Sequence, residues 1–378
     1  MDNELELFRD NVSRFFSEEI LPDYETWERD GIAPRDVWNK MGEAGLLCVD
    51  VAEEHGGIGA DFPFSCIILE EVARLGMMSL ATNLAVHSDI VAPYVSHLGT
   101  EEQKAYWLPK LASGEAVGAI GMTEPGAGSD LQAIKTNAVA DGDDYIINGQ
   151  KTFITNGQHA DLVILAVKTD PKAGARGTTL FLIDTHLDGF SRGRNLEKIG
   201  QHAGDTSELY FSDLRTPASS VLGRVGGGFG HLMDELPRER LALGVTAVGD
   251  EPGCIEQTIE YVQNRKAFGQ AIGSFQNTRF ELAKMKTDLE VNRAFVNQCA
   301  ALYADGKLDV PTAAMVKLAS TEMQCRVADG CLQLFGGYGY MSEYPIARAF
   351  ADARVQRIYG GTSEIMKEVI ARSMLGRA

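Results

Sequence analysis

The hydrophobic period of this chain changes twice, from helical to β and back, and that order excludes most folds open to 378 residues. From the start to about Gly114 apolar residues recur at helical spacing. Leu7, Phe8, Val12, Phe15 and Phe16 form one stripe, and the segments Asp61 to Ala73 and Ala92 to Leu98 continue it. Thr100-Glu101-Glu102-Gln103 has the order of a capping box and predicts a helix start there. Near Val117 the texture becomes short β-rich runs punctuated by turn residues. These are Tyr145-Ile146-Ile147 before Asn148-Gly149, Thr152 to Thr155 before Asn156-Gly157, Leu162 to Val167, Thr178 to Ile183, and Glu208 to Phe211. Short strands with no helices between them argue against a nicotinamide-binding βαβ fold and predict an antiparallel sheet or barrel. After Gly226-Gly227-Gly228 helical spacing returns, over about 229–264, 276–304, 311–334, 345–354 and 363–375. The expected class is α+β, with a helical N-terminal domain (1–117), a central antiparallel β domain (118–226) and a helical C-terminal domain (227–378). Asp250-Glu251-Pro252-Gly253 predicts a kink or break in the first long C-terminal helix.

Composition narrows the partners. With 44% hydrophobic residues the chain has material for a full core, and 35 Lys plus Arg against 53 Asp plus Glu give a net charge of −18. Such a balance disfavours nucleic acid and anionic lipid, so an anionic ligand needs a local basic site. The six cysteines form no CxxC pair and no metal-ligand spacing with histidine, so buried free thiols are expected and no metal site. No run reaches the length of a membrane span. The N-terminus, Met1-Asp2-Asn3-Glu4-Leu5-Glu6, has neither signal-peptide nor transit-peptide character. The expectation is a reducing, soluble compartment: bacterial-type cytoplasm, with a processed mitochondrial matrix form as the alternative.

Four constellations are candidates for chemistry. Gly121-Met122-Thr123-Glu124-Pro125-Gly126-Ala127-Gly128-Ser129-Asp130 is a loop whose backbone a ligand can approach closely, or simply a connection. Its neighbour, Gly149 to Gly157, sets Phe153 and Thr155 on one face of a hairpin, an aromatic and a hydroxyl suited to a flat, polar-edged cofactor. Arg265, in Asn264-Arg265-Lys266-Ala267-Phe268-Gly269-Gln270, offers a planar fork to a phosphate, with Gln276 following; a solvated helix-end charge is the plainer meaning. Gln333 to Tyr340 reads as a helix C-cap or as backbone opened to a ligand. Arg357 to Ile365 reads as a capped helix start or as an oxyanion site.

The order TEPGAGSD, INGQKTFITNG, RKAFG with Gln276, QLFGGYGY and DARVQRIYGGTSEI resembles the acyl-CoA dehydrogenase family over essentially the whole chain. The resemblance implies an N-terminal helical domain, a central β domain and a C-terminal four-helix bundle. It also implies an FAD enzyme, usually a homotetramer built as a dimer of dimers, that passes electrons to an electron-transfer flavoprotein. Carried over, it sets the flavin against Met122, Thr123, Gly128 and Ser129 and against Phe153, Ile154 and Thr155, with Thr155 near the reactive nitrogen and Thr123 on the pyrimidine edge. Arg265, Gln276, Gln333, Gly336 and Gly337 would hold the pyrophosphate and adenosine, partly across a subunit interface. Thr362 and Glu364 match cofactor contacts. Ser129, Arg240, Gly360 and Gly361 match positions beside the acyl-CoA.

The reaction implied is α-proton removal from an acyl thioester with the β-hydride passing to the flavin, giving a trans-2-enoyl-CoA. It needs a carboxylate whose pKa is raised by a dry site. Most of the family carries that Glu where this chain has Gly360. The branch resembling the long-chain and isovaleryl-CoA dehydrogenases takes it from the first helix of the C-terminal bundle, and alignment on Arg240 makes Glu239 the expected base. Glu235, four residues earlier, is the control carboxylate. The Gly360 backbone N–H is expected to help hold the enolate oxygen. Long-chain acyl-CoA, in fatty acid β-oxidation, is the expected substrate. A flavin oxidase on the same fold and a noncatalytic flavin- or acyl-CoA-binding scaffold are the alternatives.

Overall fold

The computed structural model describes residues 2–376. The N-terminal part is helical: α1 (Asp2–Phe15), α2 (Leu21–Asp30), α3 (Asp36–Glu43), α4 (Phe62–Arg74), α5 (Met78–Leu84), α6 (Ala92–Leu98) and α7 (Glu101–Ala112). A π-helical segment at Ala85–Val91 joins α5 and α6 into one rod, which is buried along most of its length. The capping box is formed, for the Thr100 hydroxyl accepts from the Gln103 N–H and the Gln103 side chain accepts from the Thr100 N–H.

Eight strands follow: β1 (Gly118–Gly121), β2 (Asn137–Asp141), β3 (Asp144–Thr155), β4 (Leu162–Lys168), β5 (Thr178–Asp184), β6 (Phe190–Asn195), β7 (Thr206–Pro217) and β8 (Val221–Leu222). They form one sheet in the order β6-β7-β3-β2-β4-β5-β8, with β1 paired to β4. Pairing is antiparallel except that β1 runs parallel to β4 and a single parallel bridge joins Asn137 of β2 to Lys168. The unbroken apolar run of β4 is explained by burial on both faces. Leu162, Ile164 and Ala166 enter the core shared with the helices, whereas Val163, Leu165 and Val167 enter the sheet's own core with Ile147, Phe181 and Leu209.

The remainder is α8 (Gly228–Asn264), a two-residue ribbon of β9 (Lys266–Ala267) and β10 (Gln270–Ala271), α9 (Gln276–Ala304), α10 (Val310–Phe335), α11 (Pro345–Ala353) and α12 (Ser363–Leu375). The six cysteines are free, five of them buried and Cys325 half-buried. Among the described residues no helix is long and apolar enough to cross a membrane.

Two local expectations are corrected. Asn148-Gly149 is not a turn, because β3 runs through it with a register shift at Asn148. A Cβ on Gly149 would lie 2.7 Å from the Thr136 Cα, so this glycine admits the backbone leading into β2, and the hairpin turn is at Gly142-Asp143 instead. The expected break at Pro252-Gly253 is also absent, since α8 continues for 37 residues with Pro252 inside it. The two glycines around this proline explain the motif. A Cβ on Gly249 would come within 2.7 Å of the Glu70 Cα, and one on Gly253 would overlap the Arg74 carbonyl oxygen. The motif is therefore a close crossing of α8 over α4. Gly253→Ala is expected to destabilise the protein by about 1–3 kcal/mol through overpacking. Pro252→Ala is expected to stabilise it by up to about 3 kcal/mol. Opposite shifts in Tm, measured by calorimetry, check this assignment.

Candidate active site

The glycine-rich loop and the aromatic strand are riveted together by charge. Lys151 of β3 is wholly buried, and its Nζ donates to Glu124 Oε1 at 2.8 Å and to the Met122 carbonyl at 3.0 Å. Glu124 also accepts from the backbone N–H groups of Lys135 and Thr136, and the Thr152 N–H donates to the Thr123 carbonyl. Burial pulls the Lys151 ammonium down to about 8. Burial alone would raise Glu124, but Lys151 and the backbone donors outweigh it and hold the carboxylate below its ordinary value. With the loop fixed, Gly128 and Ser129 are exposed while Met122 and Thr123 are half-buried. Phe153 sits at φ +59° with its ring 68% exposed, a left-handed conformation that a bulky residue adopts only under constraint. Thr155, two residues on at the end of β3, is half-buried. The Ile154 side chain instead enters the sheet core, which leaves only its backbone to a ligand.

Three consecutive residues near the start of α8 fan out to separate tasks, since each step around a helix turns the side chain by 100°. Arg238 points to the N-terminal helices, where it pairs with Asp50 and with Asp89 at 3.1 Å and lies over the rings of Phe62 and Tyr303. Glu239, 4% exposed, accepts a 2.8 Å hydrogen bond from the Tyr94 hydroxyl of α6. Burial pushes its pKa up to about 7, against the pull of Tyr94 and Arg240, and Glu235 adds to the rise. Glu235 itself lies 2.9 Å from His97 Nδ1 on an exposed edge. Arg240 is buried with Nε and Nη1 unpartnered among the described residues, and burial lowers its pKa. Such a guanidinium has donors free for an acceptor.

Gly360 and Gly361 both have left-handed backbones, φ +62° and +94°. A Cβ on Gly360 would overlap the Leu243 Cδ1, and Leu243 is one helical turn beyond Glu239. The turn therefore faces the Glu239 side of α8. Next to it the Tyr359 hydroxyl lies 3.2 Å from Thr82 Oγ1, and at the end of β3 the Asn156 amide donates to the Asn83 carbonyl at 3.0 Å. The α5–α6 rod thus ties the strand, the turn and the buried carboxylate together. The Thr362 hydroxyl caps α12 by accepting from the Ile365 N–H, and Glu364 is exposed on the first turn of that helix.

A separate cleft of about 520 Å³ lies where α8 and α10 end, and it is lined by Arg265, Gln333, Gly336, Gly337, Tyr338 and their neighbours. The Arg265 guanidinium is over the Tyr338 ring at 5.3 Å. Gln276 begins α9, exposed and outside the lining of this cleft.

Models of the N-terminal, middle and C-terminal domains of acyl-CoA dehydrogenases match residues 2–115, 119–214 and 226–375. The chain belongs to the acyl-CoA dehydrogenase family. It is 48% identical over 375 residues to the mitochondrial long-chain specific acyl-CoA dehydrogenase of Sus scrofa, covering 99% of this chain and 87% of that protein. The crystal structure of an acyl-CoA dehydrogenase from Geobacillus kaustophilus superposes with a TM-score of 0.96 at 48% identity, covering 98% of each chain. A glutaryl-CoA dehydrogenase from Mycobacterium smegmatis, solved in complex with FADH2, superposes with a TM-score of 0.94 at 28% identity, covering 100% of this chain and 96% of that one.

Within this acyl-CoA dehydrogenase, sequence reasoning missed Tyr94, Asp50 and Asp89, which reach α8 from far away along the chain and carry no local signal. The Glu124–Lys151 pair was findable, because Lys151 is the one charge in Gly149 to Gly157 and Glu124 is one of two acids, with Asp130, in Gly121 to Asp130. Lys151→Met is expected to cost about 3–5 kcal/mol by stranding a buried carboxylate, and Glu124→Gln added to it to recover much of that loss. Denaturant unfolding of the two variants checks the rivet.

Proposed function

We propose that this chain catalyses FAD-dependent α,β-dehydrogenation of long-chain acyl-CoA to trans-2-enoyl-CoA, with Glu239 as the base. The observation that carries the proposal is the dry, oriented Glu239 carboxylate beside a turn that has no side chain of its own. A carboxylate with a pKa near 7 is deprotonated often enough to accept a proton and basic enough to remove one from a thioester α-carbon. Tyr94 orients the carboxylate, and the Gly360 N–H is a donor for the carbonyl oxygen as negative charge develops there. Arg240 supplies the unpartnered cation beside them.

The residues present fit FAD. The Phe153 ring and Thr155 hydroxyl offer a face and a donor for the flavin beside the Met122–Ser129 loop, and the Arg265 cleft suits a pyrophosphate, with Gln276, Thr362 and Glu364 as further contacts. Bound there, the flavin supplies the acceptor for the β-hydride. Glu239 is on α8 and Arg265 is the C-cap of the same helix, 26 residues or about 39 Å away. A single dinucleotide does not stretch that far, so a cofactor serving Glu239 of one copy takes its phosphate contacts from another. Phe268 and Tyr340, 95% and 85% exposed near this cleft, are apolar surface for that neighbour to cover. The reading includes a homotetramer built as a dimer of dimers, an electron-transfer flavoprotein as acceptor, the domain limits 1–117, 118–226 and 227–378, and a soluble compartment. The relative in Sus scrofa supports the long-chain substrate.

Anaerobic addition of palmitoyl-CoA, octanoyl-CoA and isovaleryl-CoA while following flavin bleaching tests the reaction and ranks chain length. Glu239→Gln is expected to keep its flavin and lose roughly 10²–10⁴-fold in rate; a rate near wild type overturns the assignment. Because the base must be ionised, kcat/KM is expected to rise with pH through about 7. Tyr94→Phe removes a donor to the charged form and is expected to move that limb to higher pH. Arg265→Ala is expected to lose FAD on dialysis.

A further inference from the structure

Lys317 of α10 is 0% exposed, and its hydrogen bond among the described residues runs from Nζ to the Gly361 carbonyl oxygen at 2.8 Å. Among the described residues no carboxylate lies within ion-pair distance of it. Burying an ammonium without a carboxylate is costly, and an apolar side chain of similar volume is often neutral or stabilising in such a place. Burial and the neighbouring Arg240 charge pull its pKa down to about 8, with Glu322, Cys325 and Glu364 opposing them.

The carbonyl it holds belongs to the least constrained stretch of the site. Two successive glycines with positive φ have the widest conformational freedom a chain offers. On one side Tyr359 is tied to Thr82, and on the other Thr362 caps α12. Between these anchors the Lys317 contact fixes the peptide plane after Gly361 from outside the turn.

We infer that Lys317 is a positioning residue for the reaction. Its Nζ locks the Gly360–Gly361 turn so that the Gly360 N–H meets the substrate carbonyl opposite Glu239. This rests on the reading of Glu239 and Gly360 given above. A donor displaced by an ångström forfeits much of its effect on the transition state while leaving binding of the acyl chain and CoA intact.

The test uses the flavin-loaded enzyme. Lys317→Met keeps the volume and removes the donor. Its kcat is expected to fall roughly 10- to 100-fold, with KM for the acyl-CoA within about threefold of wild type and unchanged flavin content and Tm. Lys317→Arg, which keeps a cationic donor, is expected to recover part of the loss. Should Lys317→Met not fold, Lys317→Leu, which also lacks a donor, is read by the same criteria. Wild-type kcat in the donor-less variant overturns the inference while Glu239→Gln remains inactive. Joint loss of flavin, Tm and kcat also overturns it and makes Lys317 structural. Wild-type turnover in Glu239→Gln would instead remove the reading beneath it.

Discussion

The geometry of this site depends on one buried helical rod, Met78 to Leu98. Three polar side chains and one backbone carbonyl along it reach three different parts of the chain. Thr82 meets Tyr359 beside the glycine turn, Asn83 offers its carbonyl to Asn156 at the end of β3, Asp89 pairs with Arg238, and Tyr94 holds Glu239. The π segment at Ala85–Val91 shifts the helical phase between the first pair and the second, which lets one rod serve elements on different sides. Because these contacts are desolvated, each is stronger than its surface counterpart and each leaves a costly orphan when broken.

That rod also separates two carboxylates that are near neighbours in sequence. Glu235 and Glu239 lie one turn apart on α8, yet the former meets His97 at an exposed edge and the latter is sealed beneath Tyr94. The Arg238 clamp sets the rotation of the helix that makes this so. With its guanidinium held between two aspartates and two aromatic rings, Arg238 leaves Glu239 and Arg240 no choice of direction. Burial at position 239 is therefore selected by packing at position 238.

The sequence revealed the elements where periodicity was long. The helices of the C-terminal part fall within a residue or so of the expected spans, because their apolar stripes run for many turns. It misled where glycine had two meanings. At Gly149 and Gly253 the residue admits a neighbouring backbone, a long-range fact, and local rules assigned a turn or a break. Short strands with weak signals, β1, β2 and β6, were not separately visible. In the candidate site, Glu239 was singled out as the proposed base because position 360 is glycine. Its partner Tyr94 lies 145 residues away and has no local mark. Gln276 and Ile154 are motif positions of another kind, for Gln276 is exposed outside the lining of the Arg265 cleft and the Ile154 side chain enters the sheet core.

The continuity of α8 has a genetic consequence. If each site takes its carboxylate from one copy and its phosphate grip from another, the two ends of this helix never serve the same cofactor. A chain damaged at Glu239 still lends a sound Arg265 end, and a chain damaged at Arg265 still lends a sound Glu239. Two alleles, each silent when alone, would then complement in a mixed oligomer, with one site whole and the other doubly impaired.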